Sequence, residues 1–327
     1  LQASEAMTYM AMAGWKTADM LDGIEGIMNL AAASGESLAA TSDIVTDALT
    51  AFRLSAADSG HFADVLAAAS SNANTNVGMM GETFKYVAPM AGSLGYSIED
   101  MSVAIGLMAN SGIKASMAGT SLNAILTRLA TNTRDARTTV EELGVKFYDA
   151  EGNARDFGSV MEELREATKN MNAEQKSNLA YTVAGTEASK GFLTILNAST
   201  ADYDKLTEAI RNADGAAKDM AETMVDNLQG DITLASSALE GLKLAAFDCI
   251  EKPFREATQH ATEALDNLTN SAKNGELKES LTDIGESAGE LMESLTDFAE
   301  KTLPQLLSLL SVLIDNLGAI AAGVVAY

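Results

Sequence analysis

The residue types that most often carry catalysis or bind metals are scarce and widely separated in this chain. It contains two histidines, His61 and His260, and one cysteine, Cys249. A zinc site needs three or four such ligands at short spacings, and neither histidine has a His or Cys partner at those spacings. The apolar neighbours in "KLAAFDCIEKPF" favour a small buried side chain for Cys249. We therefore expect both histidines to be ordinary helix residues, and the single cysteine excludes an intrachain disulfide.

Acidic residues are abundant, but their order does not build a recognisable site. The segment "EGNARD" (151–156) lacks the ligand spacing and the closing glutamate of an EF-hand calcium loop. The phosphate-binding and dinucleotide patterns, G-x-x-x-x-G-K-[ST] and G-x-G-x-x-G, are both absent. A glycosidase or peptidase carboxylate pair would be invisible against the acidic background. We predict no catalytic, cofactor-binding or metal-binding residue, no cofactor and no enzymatic activity.

The composition indicates a helical protein and argues against sequence-specific binding of DNA or RNA. The chain has 327 residues and a formal net charge of −24, with 46 acidic against 22 basic side chains. Such a charge repels DNA, RNA and anionic lipid headgroups at long range. Of the residues, 47% are hydrophobic and only 5% are aromatic, and there are three prolines. Small and aliphatic side chains with few helix breakers favour closely packed helices.

The elements that would have to position any site are predicted to be short helices over residues 1–133. They are predicted at 17–35, at 37–55, after Ser55-x-x-Asp58, from near Asn76, at 98–112 after Ser97, and from Lys114 or Ser116. Pro89 should kink or end the helix that begins near Asn76, and Gly95 should close that unit. Small side chains should let the last three helices approach closely, namely Ala104, Gly106, Ala109, Ala118 and Gly119.

The helical spacing of apolar residues is interrupted at residues 143–157, where "LGVKFYDAEGNARDF" combines residues that favour strands with residues that favour turns. This pattern predicts a small β-hairpin, with Gly152 able to adopt a positive φ. Helices are then predicted at 158–169, 173–184, 187–197 and 201–213, the second of these after Asn172-x-x-Gln175.

The last third of the chain has longer helical patterns. From about residue 216 to residue 273 the apolar spacing predicts one or two long helices. Between residues 276 and 300 apolar residues occupy heptad positions a and d, and acidic residues occupy c and f, which predicts a coiled-coil segment with a solvated acidic face. Residues 303–327 are the most apolar stretch and are long enough to span a bilayer, although Asp315 and Asn316 lie near the middle. A buried or oligomerisation helix and a membrane-active segment are the alternatives for this stretch.

These patterns together predict a mainly α protein. It should have a compact multi-helix core of short helices with one small β-hairpin near 143–157, followed by long amphipathic or coiled-coil helices. The predicted segments are a core of short helices (1–133), its continuation with the hairpin and further helices (134–213), a long helical segment (214–302) and an apolar helix (303–327).

Three stretches have a specific order of residues, namely "MGETFKYVAPMAGSLG" (80–95), "AIGLMANSGIKASMAGTSL" (104–122) and "LTRLA" (126–130). They resemble the core region of phage tail tape measure proteins of the TP901-1 type, a family of phage and prophage minor tail proteins. "ELGVKFYDAEGNARDF" (142–157) is similar to the element that follows in that family, and the resemblance covers roughly residues 5–245.

The resemblance implies a structural protein that lies in the lumen of the tail tube, sets tail length during assembly and leaves ahead of the DNA at infection. It implies tube protein, tail assembly chaperones and baseplate or tail-tip proteins as partners, with self-association through helices and a possible host-membrane contact. It places the protein in the virion tail, and in the host cytoplasm during assembly. The alternative function is a membrane-active module that helps DNA cross the host envelope through residues 303–327. A fully helical chain of this length would span roughly 490 Å, short for a tail ruler, so we expect a piece of a longer protein.

Overall fold

The computed structural model describes residues 2–226 without a gap, together with single residues scattered between 241 and 304. The chain divides into two units, Leu1–Leu228 and Gln229–Tyr327. The described residues of the second unit are helical. Cys249 and His260 lie outside the described residues, and so do nearly all of the predicted heptads and the apolar segment 303–327.

The described part of the first unit consists of α-helices, which confirms the prediction of a mainly α fold. The helices are α1 Gln2–Met12, α2 Thr17–Ser34, α3 Leu38–Phe52, α4 Ser59–Asn72, α5 Val77–Leu94, α6 Ile98–Asn110, α7 Ala115–Thr131, α8 Ala136–Glu141, α9 Phe157–Ala167, α10 Ala173–Asn197, α11 Thr200–Arg211 and α12 Ala216–Val225. Short 3₁₀ turns precede α4 and α8, at Ala56–Asp58 and Thr133–Asp135.

From α1 to α7 each helix packs against the helix two positions further along the chain, which gives two layers. One layer contains α1, α3, α5 and α7 and is extended by α10, and the other contains α2, α4 and α6 and is extended by α11. Helix α12 packs against α2 and α4, while α8 and α9 pack beside α7, α10 and α6. The stacking from α1 to α7 resembles that of an α-solenoid, whereas α12 returns to helices near the start of the chain.

The stacking has a period of 39 residues over its central part. Helix α3 begins at Leu38 and α5 at Val77, 39 residues later, and α4 and α6 begin at Ser59 and Ile98 with the same offset. Core positions keep this offset in successive helices of a layer. The buried sets are Ala48, Val87 and Leu126 in one layer, and the pairs Phe62 and Met101, Leu66 and Ile105, and Ala69 and Met108 in the other.

Capping side chains and glycines set most of the helix ends where the sequence predicts them. The side chains of Ser37, Asn76 and Ser97 each accept a hydrogen bond from a backbone N–H in the first turn of α3, α5 and α6. Gly35 and Gly95 end α2 and α5 in the left-handed conformation, at φ 71° and 77°. Local capping chemistry therefore divides the core into short helices.

Pro89 does not end its helix, which corrects one of the two predicted outcomes. Helix α5 continues through Pro89 to Leu94. Proline removes one intrahelical hydrogen bond, the one to the carbonyl of Lys85. Pro89 and Lys85 both lie on the exposed side of α5, where water can solvate that carbonyl.

The predicted β-hairpin at 143–157 is wrong, since this segment forms no strand. It closes with one isolated antiparallel bridge between Tyr148 and Ala154. The turn is held by the Asp149 carboxylate, whose Oδ1 accepts the N–H groups of Glu151 and Asn153 at 3.0 and 2.8 Å. Two backbone hydrogen bonds cross the turn, from Arg155 N–H to the Phe147 carbonyl at 3.0 Å and from Asp149 N–H to the Asn153 carbonyl at 2.9 Å, and α9 begins directly at Phe157.

Candidate functional site

The residues that could do chemistry lie apart in the described structure. His61, on α4, contacts Glu99 on α6 across the surface, with 2.6 Å between Nε2 and Oε1. The "EGNARD" segment is the exposed turn after Asp149, and its Arg155 pairs with Glu163 of α9. Nowhere among the described residues do three His, Cys, Asp or Glu side chains come together in a group that could hold a metal ion.

Close approach between helices is the property that the core shows most clearly. A Cβ built on Gly119 of α7 would lie 2.6 Å from the carbonyl oxygen of Thr83 and 2.7 Å from Cβ of Tyr86, both on α5. A Cβ on Gly106 of α6 would lie 2.6 Å from Leu206 of α11. Gly119 confirms a predicted close approach, because a larger side chain there would meet the backbone of α5. Gly106 instead lies against the end of the Leu206 side chain on α11, outside the predicted three-helix contact.

A groove of about 730 Å³ lies between α3 and α5, beside the end of α1. Ile44 and Phe84 line it from the core, and Met12, which is 77% exposed, lies at its edge. Lys85 and Asp47 line its polar side. The hydrogen bond from Lys85 to Asp43, 2.8 Å long, is the main cause of the raised pKa of Lys85. The pKa of Asp47 is raised by burial first and by the charge of Asp43 second.

Helix α10 is interrupted at Gly185, and a side chain from α7 supports the interruption. Gly185 has φ 78° and ψ 175°, a conformation open almost only to glycine. The guanidinium of Arg128 donates through Nε to the carbonyl of Val183 at 2.9 Å and through Nη2 to that of Thr182 at 2.8 Å. The sequence predicts two helices, 173–184 and 187–197, and their separation coincides with this interruption. Arg128 lies in the "LTRLA" segment, more than 50 residues before the carbonyls that it contacts, so residue spacing could not predict its role.

Two carboxyl groups meet where α6, α9 and α11 converge. Asp100 of α6 is only 7% exposed and accepts the N–H of Gly158 at 3.2 Å. Asp156 caps α9 by accepting the N–H of Ser159 at 2.7 Å. Both carboxyl groups lie beside Gly158, where a Cβ would be 2.9 Å from Oδ1 of Asp100 and 3.6 Å from Oδ1 of Asp156. Burial, followed by the bond to Asp156, raises the pKa of Asp100 to about 7, whereas the bond from Asp100 lowers the pKa of Asp156 to about 2.

Sequence reasoning missed this carboxyl pair because its members are far apart in the chain. Ser97-x-x-Asp100 reads as a capping box, in which an acid normally reaches back to the N-cap N–H. Here the Asp100 side chain turns toward α9 instead and receives the N–H of Gly158. An acidic residue at a position otherwise surrounded by core residues of α6, such as Met101 and Ile105, was the available signal.

No helix among the described residues is both long enough and apolar enough to cross a membrane. The described residues thus form closely packed helices, a groove between α3 and α5, an interruption of α10 supported by Arg128, and a pair of carboxyl groups, Asp100 and Asp156, of which Asp100 is buried.

One family model and several known proteins are similar to this chain. Residues 1–185 match the family model described as phage-related minor tail protein. The chain is 37% identical over 275 residues to the tape measure protein of Pneumococcus phage Dp-1, covering 84% of this chain and 24% of that protein. It is 33% identical over 238 residues to the probable tape measure protein of Escherichia phage P2, covering 72% of this chain and 29% of that protein.

A more distant relative is the probable tape measure protein of Clostridium phage phiCD119, 21% identical over 282 residues. That match covers 84% of this chain and 29% of the relative. The chain thus spans roughly a quarter of the length of the curated relatives it matches, and no solved structure matches it. Because the family model covers more than half of its residues, the chain belongs to the phage-related minor tail proteins.

Proposed function

We propose that this chain is the core region of a tape measure protein, which occupies the lumen of the tail tube and sets tail length during assembly. The observation that carries the proposal is the match of residues 1–185 to phage minor tail proteins, together with two relatives named as tape measure proteins at 37% and 33% identity. Family membership indicates the virion tail as its location. The host cytoplasm during assembly, and departure ahead of the DNA at infection, belong to the same proposal.

The fold suggests which part of the protein measures length. A helix rises about 1.5 Å per residue, so residues 2–226 as one continuous helix would span roughly 340 Å. They are instead folded into twelve helices, the longest of 25 residues and interrupted at Gly185. A stack of this kind contributes little length per residue. We therefore assign the ruler role to extended helical segments outside it, beginning with the predicted heptads at 276–300.

The folded core then serves as an assembly domain within the tail. The proposed partners are the tail tube protein, the tail assembly chaperones and baseplate or tail-tip proteins, with self-association through helices. The proposal includes no catalytic, cofactor-binding or metal-binding residue, consistent with packing surfaces as the main features of the core. The segments 1–133, 134–213, 214–302 and 303–327 remain our proposed division of the chain.

In-frame changes to the complete tail gene test the division of labour. Removing heptads from 276–300 should shorten the tail in proportion to the residues removed, as measured by electron microscopy of negatively stained virions. Removing a helix pair from the core should abolish or misdirect tail assembly without producing a proportionally shorter tail. Tails of unchanged length after heptad removal would refute the ruler role of that segment.

The alternative function, a membrane-active module, draws its support from the apolar sequence of 303–327 alone. Leakage of dye from liposomes can be compared between the full chain and a chain that ends at residue 302. Equal leakage from both proteins would exclude a role of this segment in membrane penetration.

A further inference from the structure

The start of α9 is held to the helix stack at a point of close contact, Gly158. Its N–H donates to Asp100 of α6, and its carbonyl accepts the hydroxyl of Tyr203 on α11 at 3.2 Å. A Cβ on Gly158 would lie 2.9 Å from Oδ1 of Asp100, so the Asp100 carboxyl is pressed against the α9 backbone. The start of α9 is therefore positioned by side chains from two other helices.

The carboxyl pair at this point requires a proton. The two carboxyl groups flank the same glycine, since a Cβ on Gly158 would lie 2.9 Å from Oδ1 of Asp100 and 3.6 Å from Oδ1 of Asp156. Two ionised carboxylates this close have only acceptor oxygens and repel each other, which favours one shared proton. Asp156 receives the N–H of Ser159 and also its hydroxyl, at 2.6 Å, which favour its ionised form. Asp100 is buried, which favours its neutral form, so the proton resides on Asp100.

We propose that this shared proton is a pH-sensitive latch, which holds the start of α9 and the preceding turn against the helix stack and releases them when it is lost. Without the proton, two negative charges would face each other beside an apolar surface built by Tyr96, Phe147 and Phe157. The hydroxyl of Tyr96 is buried and has no hydrogen-bond partner, so it does not compensate the second charge.

Charged and titratable side chains of α9 and α11 also surround the Asp100–Asp156 pair. Arg211 of α11 is the cation that favours ionisation of both carboxyls. The Tyr203 hydroxyl faces Asp100, and burial raises its pKa. Around Tyr203 lie Glu162 and Arg165, whose guanidinium carbon is 4.4 Å from the ring centroid.

A group on α4 must also be controlled. His61 contacts Glu99, the neighbour of Asp100 on α6. A His61→Gln background removes its contribution from the measurement.

The direction of the pH effect follows from proton counting. Above pH 4 both aspartates are ionised in the unfolded chain, while the folded chain keeps one proton up to the pKa of Asp100, about 7. The folded state therefore binds more protons than the unfolded state, and the stability contributed by the latch is lost as pH rises through 7. Below pH 4 the unfolded chain takes up two protons and the folded chain only one, so stability also falls toward pH 2.

Hydrogen–deuterium exchange of the full chain in the His61→Gln background tests the latch between pH 5.5 and pH 8.5. Exchange is corrected for its intrinsic pH dependence, and peptides from 147–164 are compared with peptides from α5 and α7. We expect opening of 147–164, relative to the α5 and α7 peptides, to increase about eightfold between pH 5.5 and pH 6.5 and by less than about twofold between pH 7 and pH 8, because the folded state keeps its extra proton only below the pKa of Asp100. Constant relative opening across this range would overturn the proposal.

Asp100→Asn is the matched variant, because an amide donates to Asp156 at every pH and still accepts the N–H of Gly158. It should keep 147–164 protected up to pH 8.5 and remove the pH dependence. The same pH dependence in Asp100→Asn as in the background protein would also overturn the latch. Asp156→Asn gives a second route to the same arrangement, and should either variant fail to fold, the curve of the background protein alone decides.

Discussion

Replacing Gly119 by alanine tests whether close helix packing organises the core. In a solvent-exposed helix this change would stabilise the fold by up to about 1 kcal/mol, because alanine has the higher helix propensity. Here the new methyl group would lie 2.6 Å from the carbonyl oxygen of Thr83 and 2.7 Å from Cβ of Tyr86. An ordinary contact needs about 3.4 Å or more, so α5 and α7 would have to separate by nearly 1 Å.

The expected cost outweighs the gain in helix propensity. Overpacking a well-filled interface costs about 1–3 kcal/mol, and here the obstructing oxygen belongs to the backbone and cannot change rotamer. We expect Gly119→Ala to lower the free energy of unfolding by about 1–3 kcal/mol, or the melting temperature by roughly 3–10 °C for a unit of this size. Urea and thermal unfolding followed by circular dichroism of the full chain measure both quantities.

Gly60→Ala is the matched control on α4. A Cβ at this position would meet no atom within 4 Å. The control should therefore be neutral or stabilising by up to about 1 kcal/mol, so the two substitutions should differ in sign. If Gly119→Ala were as stable as wild type, the backbone contact between α5 and α7 would not limit their separation, and the close-packing reasoning would be refuted.

Two further substitutions probe how α10 is held. Arg128→Met removes charge-assisted hydrogen bonds to two carbonyls near Gly185 and should lower the free energy of unfolding, measured in urea, by about 2–4 kcal/mol. The control Lys190→Met, at an exposed position of the same helix, should change it by less than about 0.5 kcal/mol. Equal effects of the two substitutions would show that Arg128 does not support the interruption of α10. Asn172→Ala removes the N-cap of α10 and should lower the free energy of unfolding by about 0.5–2 kcal/mol. The control Asn178→Ala, inside the same helix, should leave it unchanged. An unchanged stability of Asn172→Ala would contradict the capping geometry.

The sequence predicts the core well wherever local chemistry decides the structure. Ser97 caps its helix as expected, and Ser37 and Asn76 cap the helices that were predicted to begin at or near them, because a short polar side chain beside an N-terminal turn satisfies its N–H groups locally. Gly35 and Gly95 end helices for an equally local reason. Family resemblance added what periodicity cannot, namely a relation to tail proteins.

Features that depend on contacts between distant segments were not predictable in this way. The hairpin at 143–157 was wrong because burial of Phe147, rather than β-propensity, determines the path of the chain. The meeting of Asp100 with Asp156 depends on how α9 returns to α6. The two-layer stack had a signal, the 39-residue offset between buried positions, but the aligned residues share burial rather than identity or size.

Tail length in a phage that carries an extended heptad segment tests the central claim most directly. Duplicating residues 273–300 in the complete tail gene adds four heptads, or about 42 Å of helix at 1.5 Å per residue. If the segment acts as a ruler, electron microscopy of mutant virions should show tails longer by this amount, to the nearest step set by the tube subunit. Tails of wild-type length, in virions that still assemble, would contradict the account.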